Sequence, residues 1–129
     1  MATWDDVARI VGELPLTCEQ SPHDWRVGKK LLAWERPLRV SDRAALSANG
    51  VQAPEGDILG VWVSDEGVKL ALVAEEPDIY FTTPHFDGYP AVLVKLAQID
   101  VRGLEELITE AWLTRAPKKL VQEYLTGSI

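Results

Sequence analysis

The spacing of apolar residues predicts a helix near each end of the chain. Apolar positions recur every three or four residues after Thr3, the expected N-cap, and Pro15 ends this first helix. A longer stripe with the same spacing follows Asp100, the expected cap of a long helix, and Pro117 is the predicted first residue of a last helix that runs through Tyr124. The two stripes consist of Trp4, Val7, Ile10, Val11 and Leu14, and of Leu104, Leu107, Ile108, Ala111 and Trp112. Each stripe predicts one buried helix face.

Between these helices, apolar and polar residues alternate as strands require. Residues 25–27 and 31–34 form a predicted hairpin around Gly28, after a polar loop over residues 17–23. Runs rich in β-forming residues predict strands at 58–63 and 91–97 and a short one at 79–81. Two further helices are expected, with Ser41 and Asp65 as their caps.

These elements predict an α+β domain. The strands lie close together in sequence, with helices before, between and after them, which favours a two-layer domain with a largely antiparallel sheet and helices packed on it. A length of 129 residues fits one domain, over residues 1–129. Lys95 marks the expected solvated face of its strand. The predicted core therefore joins the other face to the long helix, through Val92, Val94, Leu96, Leu107, Ala111 and Trp112.

Composition restricts location and chemistry. No apolar run approaches the ~20 residues that cross a bilayer, and the N-terminus lacks the basic and apolar regions of a signal peptide. The single cysteine, Cys18, cannot form an intramolecular disulfide and has no base beside it in sequence, so we expect a plain thiol. These features predict a cytoplasmic protein without a membrane partner, and we expect a monomer.

No catalytic, metal or cofactor motif is present. The two histidines lie far apart in sequence, and the chain carries no glycine-rich phosphate loop, no dinucleotide fingerprint and no nucleophile elbow. We therefore expect a protein that is not an enzyme and that has no metal site and no cofactor.

Charge is distributed unevenly along this acidic chain. Its net charge is −7, yet residues 24–43 hold six basic and three acidic residues. Arg26, Lys29 and Lys30 lie in the predicted hairpin and could contact phosphates. Arg115, Lys118 and Lys119 flank Pro117 at the start of a helix, where free amides also favour an anion. The alternative for both groups is that they are solvated surface cations.

Residues 81–90 combine three aromatic residues, two prolines and one of the two histidines. One interpretation is local architecture, in which Asp87 and Gly88 make a tight turn and the prolines fix backbone angles. The other is a pocket or docking surface built from His85, Asp87 and Tyr89, in which His85 and Asp87 share a hydrogen bond. We expect most of the five tryptophans to be core residues, not stacking platforms for bases.

Two longer motifs carry a family resemblance. Residues 81–94, FTTPHFDGYPAVLV, and residues 111–121, AWLTRAPKKLV, resemble the MmcQ/YjbR family of small bacterial proteins. Trp4-Asp5-Asp6-Val7 and Trp25-Arg26-Val27-Gly28-Lys29 agree more loosely. The resemblance implies an α+β fold similar to that of secretion chaperones. It also implies the family's description as predicted DNA-binding proteins with a double-wing motif.

Three functional hypotheses follow. The first is a non-enzymatic protein that binds DNA weakly through the basic hairpin; a basic stripe continuous with the last helix would favour it. The second is a module that binds a protein or peptide, which a flat apolar patch would favour. The third is a small-molecule or anion site, which a concave pocket enclosing His85 would favour. Its candidate residues are His85, Asp87, Tyr89, Arg115, Lys118 and Lys119.

Overall fold

A six-stranded antiparallel sheet forms the centre of the computed structural model, which describes residues 1–127. The strands are β1 (Thr17–Ser21), β2 (Asp24–Val27), β3 (Lys30–Glu35), β4 (Ile58–Trp62), β5 (Tyr80–Phe81) and β6 (Ala91–Lys95), in the spatial order β1-β2-β3-β4-β6-β5. The helices are α1 (Trp4–Gly12), α2 (Val40–Ala48), α3 (Glu66–Glu75), α4 (Val101–Arg115) and α5 (Lys118–Leu125), and Pro84–Phe86 is a 3₁₀ turn. The predicted α+β class is therefore confirmed. The predicted domain also includes residues 128 and 129, which lie outside the described residues.

Side-chain caps begin three of the helices, as predicted. The Asp6 amide donates to the hydroxyl of Thr3 at 3.2 Å, and the Thr3 amide donates back to the Asp6 carboxylate at 2.9 Å. Asp65 accepts from the third amide of α3 at 2.9 Å, and Asp100 accepts from the Gly103 amide at 2.7 Å. Each cap satisfies an amide that a helix start would otherwise leave without a partner.

Two predicted helix starts are displaced. Helix α2 begins at Val40, so Ser41 is not its cap. The carboxylate of Asp42 instead accepts the Arg39 amide at 2.8 Å, which places the start earlier. Pro117 precedes the first residue of α5 by one position, because its backbone is still extended at ψ 140°.

The main core lies on one face of the sheet, called here the first face. Helices α1 and α4 pack there, with residues of α3 and α5 at the margin. The six residues predicted to pack together across β6 and α4 all belong to this core. Trp112 is fully buried, and its indole Nε1 donates to the Pro15 carbonyl at 2.8 Å, which ties α4 to the end of α1.

The opposite, second face is also partly covered, which the sequence did not indicate. Helix α2 and the 3₁₀ turn lie over it and bury a smaller cluster of Leu46, Ile58, Phe81, Phe86, Ala91 and Leu93. The expectation that the Lys95 side of β6 is solvated is therefore wrong: Leu93 is fully buried, and the Lys95 ammonium lies 5.8 Å from the centre of the Phe81 ring.

Strand β1 replaces the predicted loop over residues 17–23. Its side chains show no apolar alternation because β1 is an edge strand and is largely exposed on both faces. Backbone pairing with β2, from Thr17 opposite Val27 to Ser21 opposite Asp24, defines it instead. The register shifts at a bulge between Glu19 and Ser21.

Candidate functional site

A groove of 370 Å³ lies on the second face of the sheet, between β3, β4 and the 81–90 loop. Its lining residues are Leu31, Trp34, Arg36, Arg39, Trp62, His85, Phe86 and Tyr89. We call it the arginine–tryptophan groove. None of the lining residues is acidic, although the chain as a whole is. The groove therefore gathers cationic and aromatic side chains in one concave place.

Strand alternation places both tryptophans in this groove. Leu59 and Val61 of β4 point into the main core, so Gly60 and Trp62 point to the second face. Trp34 of β3 is the register partner of Gly60, and its indole lies directly over it. A Cβ added at Gly60 would lie 2.6 Å from two carbons of that ring. The glycine therefore provides the space that the Trp34 indole occupies.

Arg115 reaches the same surface from the end of α4. Its Nε donates to the Leu31 carbonyl at 3.1 Å, and its Cζ lies 4.8 Å from the centre of the Trp62 ring. Burial lowers the pKa of the Arg115 guanidinium, and no carboxylate within residues 1–127 pairs with it. The Trp62 Nε1 is buried and has no hydrogen-bond partner in the same range. Beside the groove, the Trp62 indole thus lacks an acceptor and the Arg115 guanidinium lacks a carboxylate partner.

A buried ion pair supports the opposite wall. The Arg36 guanidinium lies 3.0 Å from the Asp42 carboxylate and 5.2 Å from the centre of the Phe86 ring. Burial alone would raise the pKa of Asp42, but the Arg39 amide and the Arg36 guanidinium together hold it below its ordinary value. Arg36 is thus already neutralised, whereas the Arg39 side chain is exposed and, among the described residues, has no carboxylate partner.

The Asp42 carboxylate makes stability depend on pH. Because its pKa is lower in the folded chain, its contribution is full above its ordinary pKa and is lost as pH falls through the folded value. We expect Asp42→Asn to destabilise the protein at about pH 6 and to cost progressively less below about pH 4. Urea unfolding of both proteins across this range measures the difference. If the destabilisation caused by Asp42→Asn stayed constant with pH, the result would contradict the role assigned to this carboxylate.

Buried Lys69 fixes the 81–90 loop at the edge of the groove. Its Nζ donates to the carbonyls of Phe86 at 2.6 Å and Tyr89 at 2.9 Å, and the Glu66 carboxylate lies 3.7 Å away. Gly88 makes the turn between these two carbonyls with a φ of +82°, which favours glycine. Helix α3 therefore holds the loop in the conformation that presents Tyr89.

The structure divides the predicted site residues of this loop. His85 and Tyr89 line the groove, whereas Asp87 is exposed and lies outside its lining. The His85 ring contacts Phe86 edge-on, with 4.8 Å between centres. No hydrogen bond joins His85 to Asp87 within the described part of the chain. The geometry thus presents the histidine as part of a groove wall and not as half of a polar pair.

The three cationic residues near Pro117 also lie at different places on the surface. Arg115 adjoins the groove through Trp62 and Leu31. Lys118 lies in a surface hollow with Leu113 and Val121, and Lys119 lies in another with Leu16 and Leu120. The three residues therefore do not converge on one anion site.

The basic hairpin is partly neutralised. The Arg26 guanidinium donates to both carboxylate oxygens of Asp24, at 2.9 and 3.3 Å, and this bond raises the pKa of Arg26. Lys29 and Lys30 are exposed and have no ion pair within residues 1–127. Two of the three predicted phosphate contacts are thus free of competing carboxylates.

Sequence reasoning missed most of the groove. Trp34 and Trp62 carry a signal, because each stands one position from a core-facing strand residue and must point the other way. Arg36 and Arg39 carry no such sequence signal beyond their contribution to the local positive charge.

Within residues 1–127, no three histidine, cysteine or acidic side chains are grouped so that they could hold a metal ion. The helices of this range include none long and apolar enough to span a membrane.

Comparison with known proteins identifies relatives of the whole chain. Residues 12–114 match the YjbR family. The chain is 76% identical over 128 residues to the uncharacterized protein Rv2570 of Mycobacterium tuberculosis, with 99% of each chain covered. The uncharacterized protein Mb2600 of Mycobacterium bovis has the same identity and coverage. No solved structure gives a significant match.

Proposed function

We propose that this chain, which belongs to the YjbR family, is a non-enzymatic, cytoplasmic binding protein for a small anionic ligand with a planar body. The ligand occupies the arginine–tryptophan groove. A volume of 370 Å³ is in the range of sites for small molecules. Among the three hypotheses, a pocket enclosing His85 was the feature expected of a small-molecule or anion site; here His85 is exposed and forms part of the groove wall.

The observation that carries the proposal is the pairing of Arg115 with Trp62. The Arg115 guanidinium is half-buried with a carbonyl but no carboxylate as its partner, and the neighbouring Trp62 Nε1 is buried without an acceptor, so an anion bound beside them would offset part of the cost of their burial. Phosphate and carboxylate groups accept several hydrogen bonds from such donors. The aromatic walls, Trp34 and Tyr89, suit a planar apolar body. A nucleoside monophosphate combines both properties.

Titration with adenosine 5′-monophosphate (AMP), followed by tryptophan fluorescence, tests the proposal. We expect saturable binding, with adenosine and inorganic phosphate each binding at least about tenfold more weakly because each supplies half of the contacts. Arg39→Gln should weaken AMP binding by about tenfold, since it removes an exposed cation from the groove.

Arg43→Gln is the matched control. It removes the same charge from helix α2, of which Arg39 is the N-cap, but lies outside the groove lining, so AMP affinity should stay unchanged. Equal losses of AMP affinity in the Arg39→Gln and Arg43→Gln proteins would show that AMP responds only to the overall positive charge of this surface. Absence of binding by AMP and also by phenyl phosphate would contradict the proposal.

DNA binding through the hairpin is a second candidate, favoured by the exposed and unpaired Lys29 and Lys30 at its tip. Because Arg26 is held by Asp24, two phosphate contacts remain. Binding of a labelled duplex should then fall with salt at a log–log slope of about −1.8. Changing both lysines to alanine should abolish it. Binding that survives this double change would remove the hairpin from consideration.

A further inference from the structure

A second concave site lies on the other side of the sheet, between α3 and α4. This cleft has a volume of 360 Å³ and an apolar floor beneath a rim of three glutamates. Its floor is formed mainly by Val63, Val68, Leu72, Leu107 and Ala111, and its rim by Glu76, Glu106 and Glu110. The cleft shares no lining residue with the arginine–tryptophan groove.

Tyr80 adds the hydroxyl of a largely buried side chain to this cleft. It pairs with Val94 across β5 and β6, so its side chain points to the first face of the sheet, towards the helices. Tyr80 is 5% exposed, lines the cleft and makes no hydrogen bond through its hydroxyl within residues 1–127. Burial, reinforced by the carboxylates of Glu76 and Glu106, raises the pKa of Tyr80 to about 12. The hydroxyl therefore stays protonated and has a free acceptor position.

The rim carries negative charge that the chain does not neutralise. Glu76 and Glu110 have no ion pair among the described residues. Glu106 has one, with exposed Arg102 at 3.7 Å, which solvent screens. A cation that enters the cleft therefore meets carboxylates not already occupied by a basic side chain.

We infer that this cleft binds an organic cation that has an ammonium group on an alkyl chain. The ammonium has three donors, which suit the two free carboxylates and the unpartnered Tyr80 hydroxyl. The alkyl chain lies along the floor formed by Val68, Leu72 and Leu107, where burial of apolar surface favours binding. The floor selects for the chain and the rim selects for the charge.

Titration of the ¹⁵N-labelled protein with n-hexylammonium, followed by NMR, tests the inference. Saturable shifts are expected at the amides of Ser64 and Gly103, which line the cleft. Neutral hexanol and anionic hexanoate have the same chain length and should bind at least about tenfold more weakly. Equal affinity for hexanol would overturn the inference, because it would show an apolar cavity without selectivity for a cation.

Glu76→Gln and Glu75→Gln provide a matched pair. Both remove one negative charge from exposed neighbouring positions of α3 and its C-cap, but Glu76 alone lines the cleft. We expect Glu76→Gln and Tyr80→Phe each to weaken n-hexylammonium binding by about tenfold, and Glu75→Gln to leave it unchanged. Equal weakening by the two glutamine variants would overturn the inference. Since the groove proposed for AMP shares no lining residue with the cleft, AMP affinity should be the same in all three proteins.

Discussion

Replacing Trp112 with alanine lowers the free energy of unfolding by about 3–5 kcal/mol, the expected cost of removing a large aromatic side chain from a core. Trp112 is fully buried, and its ring lies 4.9 Å from that of Tyr124, which brings α5 onto the core. The change also removes the donor to the Pro15 carbonyl. Urea unfolding followed by circular dichroism measures the loss.

Two further variants separate the loss of apolar packing from the loss of the hydrogen bond to the Pro15 carbonyl. Trp112→Phe keeps most of the apolar contact but removes the indole Nε1, so it should cost about 1–3 kcal/mol, the effect of leaving the Pro15 carbonyl without its donor. Leu125→Ala removes an apolar side chain that is 66% exposed and should change stability by less than about 0.5 kcal/mol. A Trp112→Ala protein as stable as the Leu125→Ala protein would show that the α4 stripe is not the core.

Replacing Lys69 with methionine should lower the free energy of unfolding by about 2–4 kcal/mol. The new side chain has a similar length but no donor, so the carbonyls of Phe86 and Tyr89 lose the Lys69 ammonium. The relief of removing a buried charge offsets part of this cost. Hydrogen exchange should also become faster at the amides of residues 85–89.

Lys118→Met is the control for this change, because it makes the same substitution at an exposed position. It should leave both stability and loop exchange unchanged. If Lys69→Met were as stable as the control, the two carbonyls would have found other donors, and α3 would not be what orders the loop.

Local chemistry explains which parts of the fold could be predicted. The starts of α1, α3 and α4 were predictable because a cap acts on amides two or three residues away. The pairing of β6 with the α4 stripe was predictable because both show regular apolar spacing. Strand β1 was not predictable from its own residues, since at an edge only backbone pairing with β2 defines it.

Long-range geometry explains why the groove could not be predicted. His85 and Tyr89 were identified as candidates, but no pattern in the chain places them beside Trp34. Arg115 binds the Leu31 carbonyl across 84 positions of sequence, a contact that exists only after the helices have packed on the sheet. Lys69 was overlooked because a lysine in a helix usually indicates an exposed face, whereas here it is 1% exposed.

The bulge in β1 has a consequence for encounters between molecules. An edge strand presents unpaired backbone groups on which another chain can extend the sheet, a common origin of aggregation. In β1, the regular register with β2 runs only from Thr17 to Glu19 before it shifts. A flat strand from a second molecule could therefore follow the regular part of this edge only from Thr17 to Glu19. The irregularity therefore protects the β1 edge of the sheet from edge-to-edge growth.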